Sequence, residues 1–304
     1  MSEISIVIPT LGRPTLLRRV LDRLDRQTAG GAFEVLVAAD ASEQALGALD
    51  AAVEGRRYPA RRLQGGRPGA SAARNTGWRA AGSPLVLFLD DDVLPEPALV
   101  AEHLAWHARH PDEASGVLGH VRWAEELEVT TFMRWLEHGI QFDYPGIDGI
   151  DAGWGRFYTA NASVKRSLLE RVGGFEEEAL PFGYEDLDLA LRMHERHGFR
   201  LLYNRAASAE HLHAMDLEQW KVRVARIAVS ERRFVALHPD FDPYFRNLFA
   251  AAAAAPPAKR SIARLGRVVP RETPVLGRLV WGSVNGVFLQ ELAGPFLEAW
   301  EAAG

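Results

Sequence analysis

Not one cysteine occurs in the 304 residues. Disulfides, thiol nucleophiles and cysteine-ligated zinc or iron–sulfur centres are thereby excluded, which suits a reducing compartment. No apolar run reaches the ~20 residues of a membrane span. Met1-Ser2-Glu3 lacks a basic stretch followed by an apolar one, so no secretory leader is expected. The chain is read as cytoplasmic, with the inner face of a membrane as a second station. No internal repeat is visible, and a net charge of −5 makes no electrostatic case for nucleic acid. What remains is ordinary for a globular protein: 47% hydrophobic and 25% charged residues, enough for one large domain or two smaller ones.

Against that background one segment stands out. Leu85-Val86-Leu87-Phe88-Leu89 reads as a strand buried on both faces, and it ends in Asp90-Asp91-Asp92. Three carboxylates cannot enter a core unpaired, so the strand must deliver them to an opening. Adjacent like charges favour a proton or a hard cation, Mg2+ or Mn2+.

Strands over Ile4–Ile8 and Phe33–Val37 alternate with helices opening at Pro14, running through Ala45–Val53 and covering about 70–81. Such alternation predicts βαβ units and a parallel sheet. Right-handed crossovers then gather Pro9–Arg13, Asp40–Ser42 and Asp90–Asp92 at one edge. Further on, a helix is expected over 97–110, strands over 117–121, 159–164 and 201–203, and a helix over 185–197. His103, His107 and His110 share a helix face, read as solvated rather than as a metal site. Beyond 216 the pattern is helical, with an alanine run at 250–255, a basic strip from Lys259 to Arg271, and an apolar segment from Pro274 to Trp300. That last segment fits core, a dimer face or a membrane-surface helix.

The motifs follow a recognisable order: Ser5-Ile6-Val7-Ile8-Pro9-Thr10, Glu34 through Ser42, Gly69-Ala70-Ser71-Ala72-Ala73-Arg74-Asn75-Thr76-Gly77, Phe88 through Asp92, Thr159-Ala160-Asn161, Gly173-Gly174-Phe175, Gly183 through Arg192, and His211. Together they resemble family 2 of the nucleotide-sugar glycosyltransferases over roughly the first two-thirds of the chain. The resemblance implies a GT-A fold: an α/β, Rossmann-like, mostly parallel central sheet flanked by helices. A catalytic domain over 1–215 is expected, with a nucleotide-binding half to 110, an acceptor half from 111, and a helical C-terminal region over 216–304.

The resemblance also implies roles. Asp92 matches the metal-binding end of the family's DxD motif, with His211 as a second metal ligand, while Asp90 and Asp91 face the donor. Pro9, Thr10, Arg13 and Asp40 would frame the nucleotide. Arg74 and Asn75, after the glycine-rich loop, would lie on the donor side, where Arg74 would reach the diphosphate or position the carboxylates. Asp186 matches the base that deprotonates the acceptor hydroxyl in inverting members, with Glu185, Asn161 and Trp154 on the acceptor side. Ala39 and Ala41 depart from the family pattern, which weakens the case for uracil. The implied activity is metal-dependent, inverting hexosyl transfer from a nucleoside-diphosphate sugar, UDP-linked first, to a hydroxyl of a saccharide, a lipid-linked saccharide or a small molecule. Nucleotidyl transfer and a catalytically silent sugar-nucleotide-binding module are the competing readings.

Overall fold

The computed structural model describes residues 2–180 and 182–304. In chain order the elements are β1 (Ile4–Thr10), α1 (Pro14–Leu24), β2 (Phe33–Ala39), α2 (Leu46–Val53), β3 (Ala60–Gln64), α3 (Ala70–Arg79), β4 (Leu85–Leu89), β5 (Val93–Pro95), α4 (Leu99–Arg109), β6 (Ser115–Trp123), α5 (Thr131–Leu136), β7 (Asn161–Lys165), α6 (Arg166–Val172), α7 (Glu185–His197), β8 (Arg200–His211), α8 (Leu217–Leu237), α9 (Tyr244–Ala254), α10 (Arg260–Ala263) and α11 (Leu276–Ala302). Two compact units result. The first holds residues up to Leu127 with Tyr144–Pro181 and Glu185–His213; the second holds Glu128–Asp143, Phe182–Tyr184 and Ala214–Gly304.

The first unit is built on an eight-stranded sheet in the order β3-β2-β1-β4-β7-β6-β8-β5. β3, β2, β1 and β4 run parallel, whereas β7 is antiparallel to both of its neighbours. Strand order reverses between β1 and β4, and such a switch point opens a crevice at the strands' carboxyl ends. β1 and β4 are almost wholly buried, as their unbroken apolar runs require. α1 starts with Pro14 in its first turn and buries Leu17, Val20, Leu21 and Leu24. α3 lies tightly on β1, because a Cβ at Gly77 would come within 2.2 Å of Val7 Cγ1.

The short helices α5 and α6 have no counterpart in the sequence expectation, and three strands differ from it. β3 was not foreseen: its Ala-Arg-Arg-Leu-Gln sequence has little apolar alternation, because it is a half-exposed edge strand. β5 is only three residues long and follows the aspartates directly. β8 continues past Asn204 to His211 instead of stopping at the end of its apolar run. Its pairing with β6 jumps from Gly119↔Asn204 to His120↔Ser208, so Arg205–Ala207 bulge out with no partner on β6. A bulge of polar and small residues hides a strand from any periodicity reading.

The histidines of α4 are not solvated. His103 and His107 are buried, and they meet a polar stripe of alternate β7 residues. His103 Nδ1 and His107 Nε2 each lie 2.8 Å from Ser163 Oγ, and His103 Nε2 lies 2.9 Å from Asn161 Oδ1. Lys165 Nζ closes the row, 2.9 Å from His107 Nδ1. Period-two alternation puts Asn161, Ser163 and Lys165 on one sheet face and Ala162 and Val164 in the apolar core on the other.

The second unit is helical. Phe249 packs on Phe296 and Phe132 on Phe288, with ring centroids 4.8 and 5.0 Å apart. Trp135 Nε1 donates to Asn285 Oδ1 at 2.9 Å. Val280, Trp281, Leu289 and Phe296 of α11 are buried, so much of that apolar segment is core. Glu231 is held by the Tyr184 hydroxyl and by the Phe245 and Arg246 amides. No helix among the described residues is long and apolar enough to cross a membrane.

Candidate active site

At the end of β4 the chain turns sharply, with Val93 N donating to Asp90 O at 3.1 Å. The turn fans the three aspartates in three directions. Asp90 points to Arg74, whose Nη2 lies 3.0 Å from Asp90 Oδ1. Asp91 turns inward and is fully buried, accepting a 2.6 Å hydrogen bond from Thr10 Oγ1. Asp92 faces the end of β8, with His211 Nε2 3.5 Å from its Oδ1. Arg13, from the loop after β1, spans the last two carboxylates, 2.5 Å from Asp91 Oδ1 and 2.5 Å from Asp92 Oδ2.

β5 explains why His211 is there. Val93 pairs with His211 in the antiparallel β5–β8 ladder, and Leu212 N donates to Asp92 O at 2.8 Å. Trp123, whose ring centroid lies 5.4 Å from that of His211, packs beside it.

The electrostatics separate the two inner carboxyls. Burial pushes Asp91 up to about 7, with Arg13 opposing and Asp92 adding to the rise. Burial would raise Asp92 too, but the His211 hydrogen bond and charge, together with Arg13, hold it well below the ordinary carboxylate range.

Arg74 is the hinge between this turn and α7. Its Nη1 lies 2.9 Å from Glu185 Oε1, at the first residue of α7, while Nη2 holds Asp90. Glu185 Oε2 is buried with no hydrogen-bond partner. Asp186 follows. It keeps a window to solvent although protein atoms surround it densely. Burial pushes its carboxyl up to about 7, helped by the Glu185 charge and opposed by Arg74.

Other residues anticipated at the site do different work. Asn75 is buried and uses its whole amide: Nδ2 donates to Phe175 O and Glu177 Oε1, and Oδ1 accepts from Phe175 N and Trp78 Nε1. It pins the Gly173-Gly174-Phe175 turn, so its amide is not free to face a donor. Gly174, at φ +79°, has no room for a side chain there, since a Cβ would sit 2.5 Å from Asn75 Oδ1. Asn161 belongs to the buried stripe under α4 and donates to Ala207 O at 2.9 Å, so its amide is not offered to an acceptor. Asp91 is taken up by Thr10 on one oxygen and by Arg13 on the other. Arg74, by contrast, holds carboxylates, the second of the two roles expected of it. Pro9 lies within β1, opposite Ala38.

Asp40 accepts from Ser42 N at 2.7 Å and from Gly69 N at 2.6 Å, so it ties the loop after β2 to the glycine loop before α3. Trp154 is half-buried and stacks on His194, centroids 6.2 Å apart. Glu43 escaped the sequence reading: its carboxylate accepts from Gly12 N at 2.5 Å and joins the β1 and β2 loops. Only its place three residues past Asp40 could have drawn attention to it. Among the described residues no three or more His, Asp or Glu side chains form a metal cage.

The family model for glycosyl transferase family 2 matches residues 5–210, which contain this whole constellation up to the residue before His211. The chain belongs to that family. A validoxylamine A glucosyltransferase of Streptomyces hygroscopicus subsp. limoneus is 30% identical over 274 residues, covering 79% of this chain and 58% of the relative. A protein of the same description from Streptomyces hygroscopicus subsp. jinggangensis is 29% identical over 274 residues, covering 79% of this chain and 62% of the relative. The chain thus spans about three-fifths of the length of these curated relatives. Among solved structures, a mannosyltransferase from Pyrobaculum calidifontis in complex with GDP-Man and Mn2+ superposes with a TM-score of 0.61 at 20% identity, covering 97% of this chain and 87% of that one. At that identity the likeness speaks for the fold, which is GT-A. This member of glycosyl transferase family 2 carries its aspartate turn and the start of α7 in the sheet-based first unit.

Proposed function

We propose that this family 2 glycosyltransferase moves a sugar from a nucleoside-diphosphate donor to an acceptor hydroxyl, with inversion and with Asp186 as the base. One observation carries the reading: Arg74 bridges Asp90 and Glu185, and so sets the aspartate turn beside the start of α7. The acceptor oxygen attacks the anomeric carbon, the bond from that carbon to the diphosphate oxygen breaks, and the hydroxyl proton passes to the Asp186 carboxylate. A carboxyl poised near 7 suits that task better than one near 4.

The residues fit a divalent cation at Asp92 and His211. A carboxylate oxygen and an imidazole nitrogen converge there; the Arg13 guanidinium holds the other oxygen of Asp92, so Oδ1 is the one left for an ion. Two protein ligands leave the cage incomplete, which is the pattern of Mg2+ or Mn2+ sites finished by substrate phosphates. When bound, such an ion offsets the charge that grows on the leaving diphosphate. Asp40, with the loops it ties together, would face the nucleotide, and Trp154 the acceptor.

The base is left open between uracil and guanine, since Ala39 and Ala41 depart from the usual pattern and a fold neighbour was solved with GDP-Man. Validoxylamine A is the acceptor to try first, because the relatives are named for it. The test is a panel of UDP-, GDP- and dTDP-sugars with Mn2+ or Mg2+, scored for transfer and for released nucleotide. Nucleoside diphosphate release that needs the cation is expected. Release of pyrophosphate would sink the assignment in favour of nucleotidyl transfer.

A further inference from the structure

The second unit carries a surface that the transfer chemistry does not use. Between Lys259 and Trp281, six basic residues (Lys259, Arg260, Arg264, Arg267, Arg271 and Arg278) stand against one acidic residue, Glu272. All six are exposed. Among the described residues only Arg260 of the six has an ion-pair partner, Glu291. Ten large apolar side chains of the described residues are more than two-fifths exposed, and five of them, Leu265, Val268, Val275, Leu276 and Leu279, fall in this same short stretch. Scattered exposed leucines need no explanation, but a cluster does.

The cluster is also held in place. Val275 is 83% exposed at φ +59°, a backbone region that β-branched residues avoid. The loop before it is tied to α11: Trp281 Nε1 donates to Val269 O at 2.9 Å and Gly277 N to Thr273 O at 2.8 Å. A Cβ at Gly277 would lie 2.4 Å from Arg271 O, so loop and helix are in direct contact. Backbone strain that turns an apolar side chain towards water is not explained by packing, and such outliers point to function. Beside the loop lies a groove of about 840 Å3 whose lining includes Arg134, Arg260, Arg264 and Arg267, with Phe132 and Phe288.

We propose that this face docks on a membrane surface rich in anionic lipid. The guanidiniums take headgroup phosphates, which they bind with two donors at once. The five aliphatic side chains enter the boundary between headgroups and acyl chains. Exposed aliphatics suit acyl chains better than nucleic-acid bases, which call for aromatic stacking. A two-fold contact between copies would set these six positive charges against the same six.

The test is sedimentation of the purified chain with vesicles of pure phosphatidylcholine and with vesicles containing one-third phosphatidylglycerol. It reads binding, so its result does not depend on the proposed transfer reaction. Binding to the anionic vesicles alone, released by raised salt, is expected. Each arginine near such a surface contributes about fivefold to partitioning, so the triple variant Arg264→Gln, Arg267→Gln, Arg278→Gln should bind roughly a hundredfold more weakly. Val268→Asn with Leu279→Asn should also weaken binding with the charge unchanged. All these side chains are exposed, so thermal unfolding should stay as in the parent. Binding to neither vesicle, or equally to both, overturns the proposal. So does complete competition by inorganic phosphate or duplex DNA, or a dimer in ultracentrifugation that Leu279→Asn dissolves.

Discussion

In the proposed reaction Asp186 is the base, so one carboxyl decides the rate. As a base it must be ionised, and it titrates near 7 because burial and Glu185 disfavour its charge. kcat/KM should therefore rise with pH up to a plateau above about 7 and fall as pH drops below it. Asp186→Asn should cost about 10²- to 10⁴-fold in turnover while donor affinity, measured by calorimetry, stays. Arg74 opposes that upward shift. Arg74→Gln should move the acid limb to higher pH, whereas Arg74→Lys, which keeps the charge, should move it less. Arg74→Gln also leaves the buried Glu185 carboxylate without its partner, a loss of about 3 kcal/mol in urea unfolding. An unshifted limb in a folded Arg74→Gln enzyme would show that the bridge does not tune the base.

Elements bring these residues together, and two junctions matter most. The first is α3 on β1. Gly77→Ala would drive a methyl into Val7 and lift the helix that carries Arg74, costing about 1–3 kcal/mol in denaturant unfolding and lowering turnover along with it. The second is α4 on β7. Burial lowers His103 to about 4 and, aided by Lys165, His107 to about 2. Both are depressed below the ordinary value of 6.5, so the unfolded chain takes up their protons first. The stability they provide is complete above about 6.5 and is lost as pH falls towards the folded values. The slope is roughly 1.4 kcal/mol per pH unit for each histidine. His103→Gln should flatten the fall in stability between pH 6.5 and 4. An unchanged slope would locate the acid lability elsewhere.

For the molecule as a whole, binding to the native state is the readout. Donor at a hundred times its Kd should add about 2.7 kcal/mol and raise the melting temperature. That shift should require Mn2+ or Mg2+ and should vanish in Asp92→Ala, whose fold the unliganded melt checks. A cation-independent shift of equal size would remove Asp92 and His211 from the metal site. At the same scale charge is unevenly placed. The chain is net negative at −5, yet the stretch from Lys259 to Arg278 is strongly basic, so total charge is a poor guide to the partners of either unit.

The sequence by itself determined the parts whose physics is local. An apolar run ending in three aspartates is readable as a strand that must end at an opening, and the helices over 14–24, 70–79 and 185–197 announce themselves through Pro14, the glycine loop and the acidic first turn of α7. The order of motifs was enough to point to the family. Only the tertiary structure decided which way each side chain faces. It turned Asp91 inward to Thr10, gave Arg74 to two carboxylates, committed Asn75 and Asn161 to internal carbonyls and side chains, and placed His103 and His107 under the sheet. Those partners lie 16 to 111 residues apart, and β5, which sets His211 beside Asp92, has only three residues. Hydrogen bonds and ion pairs depend on distances of a few ångströms between remote segments, and residue spacing along a chain does not encode them.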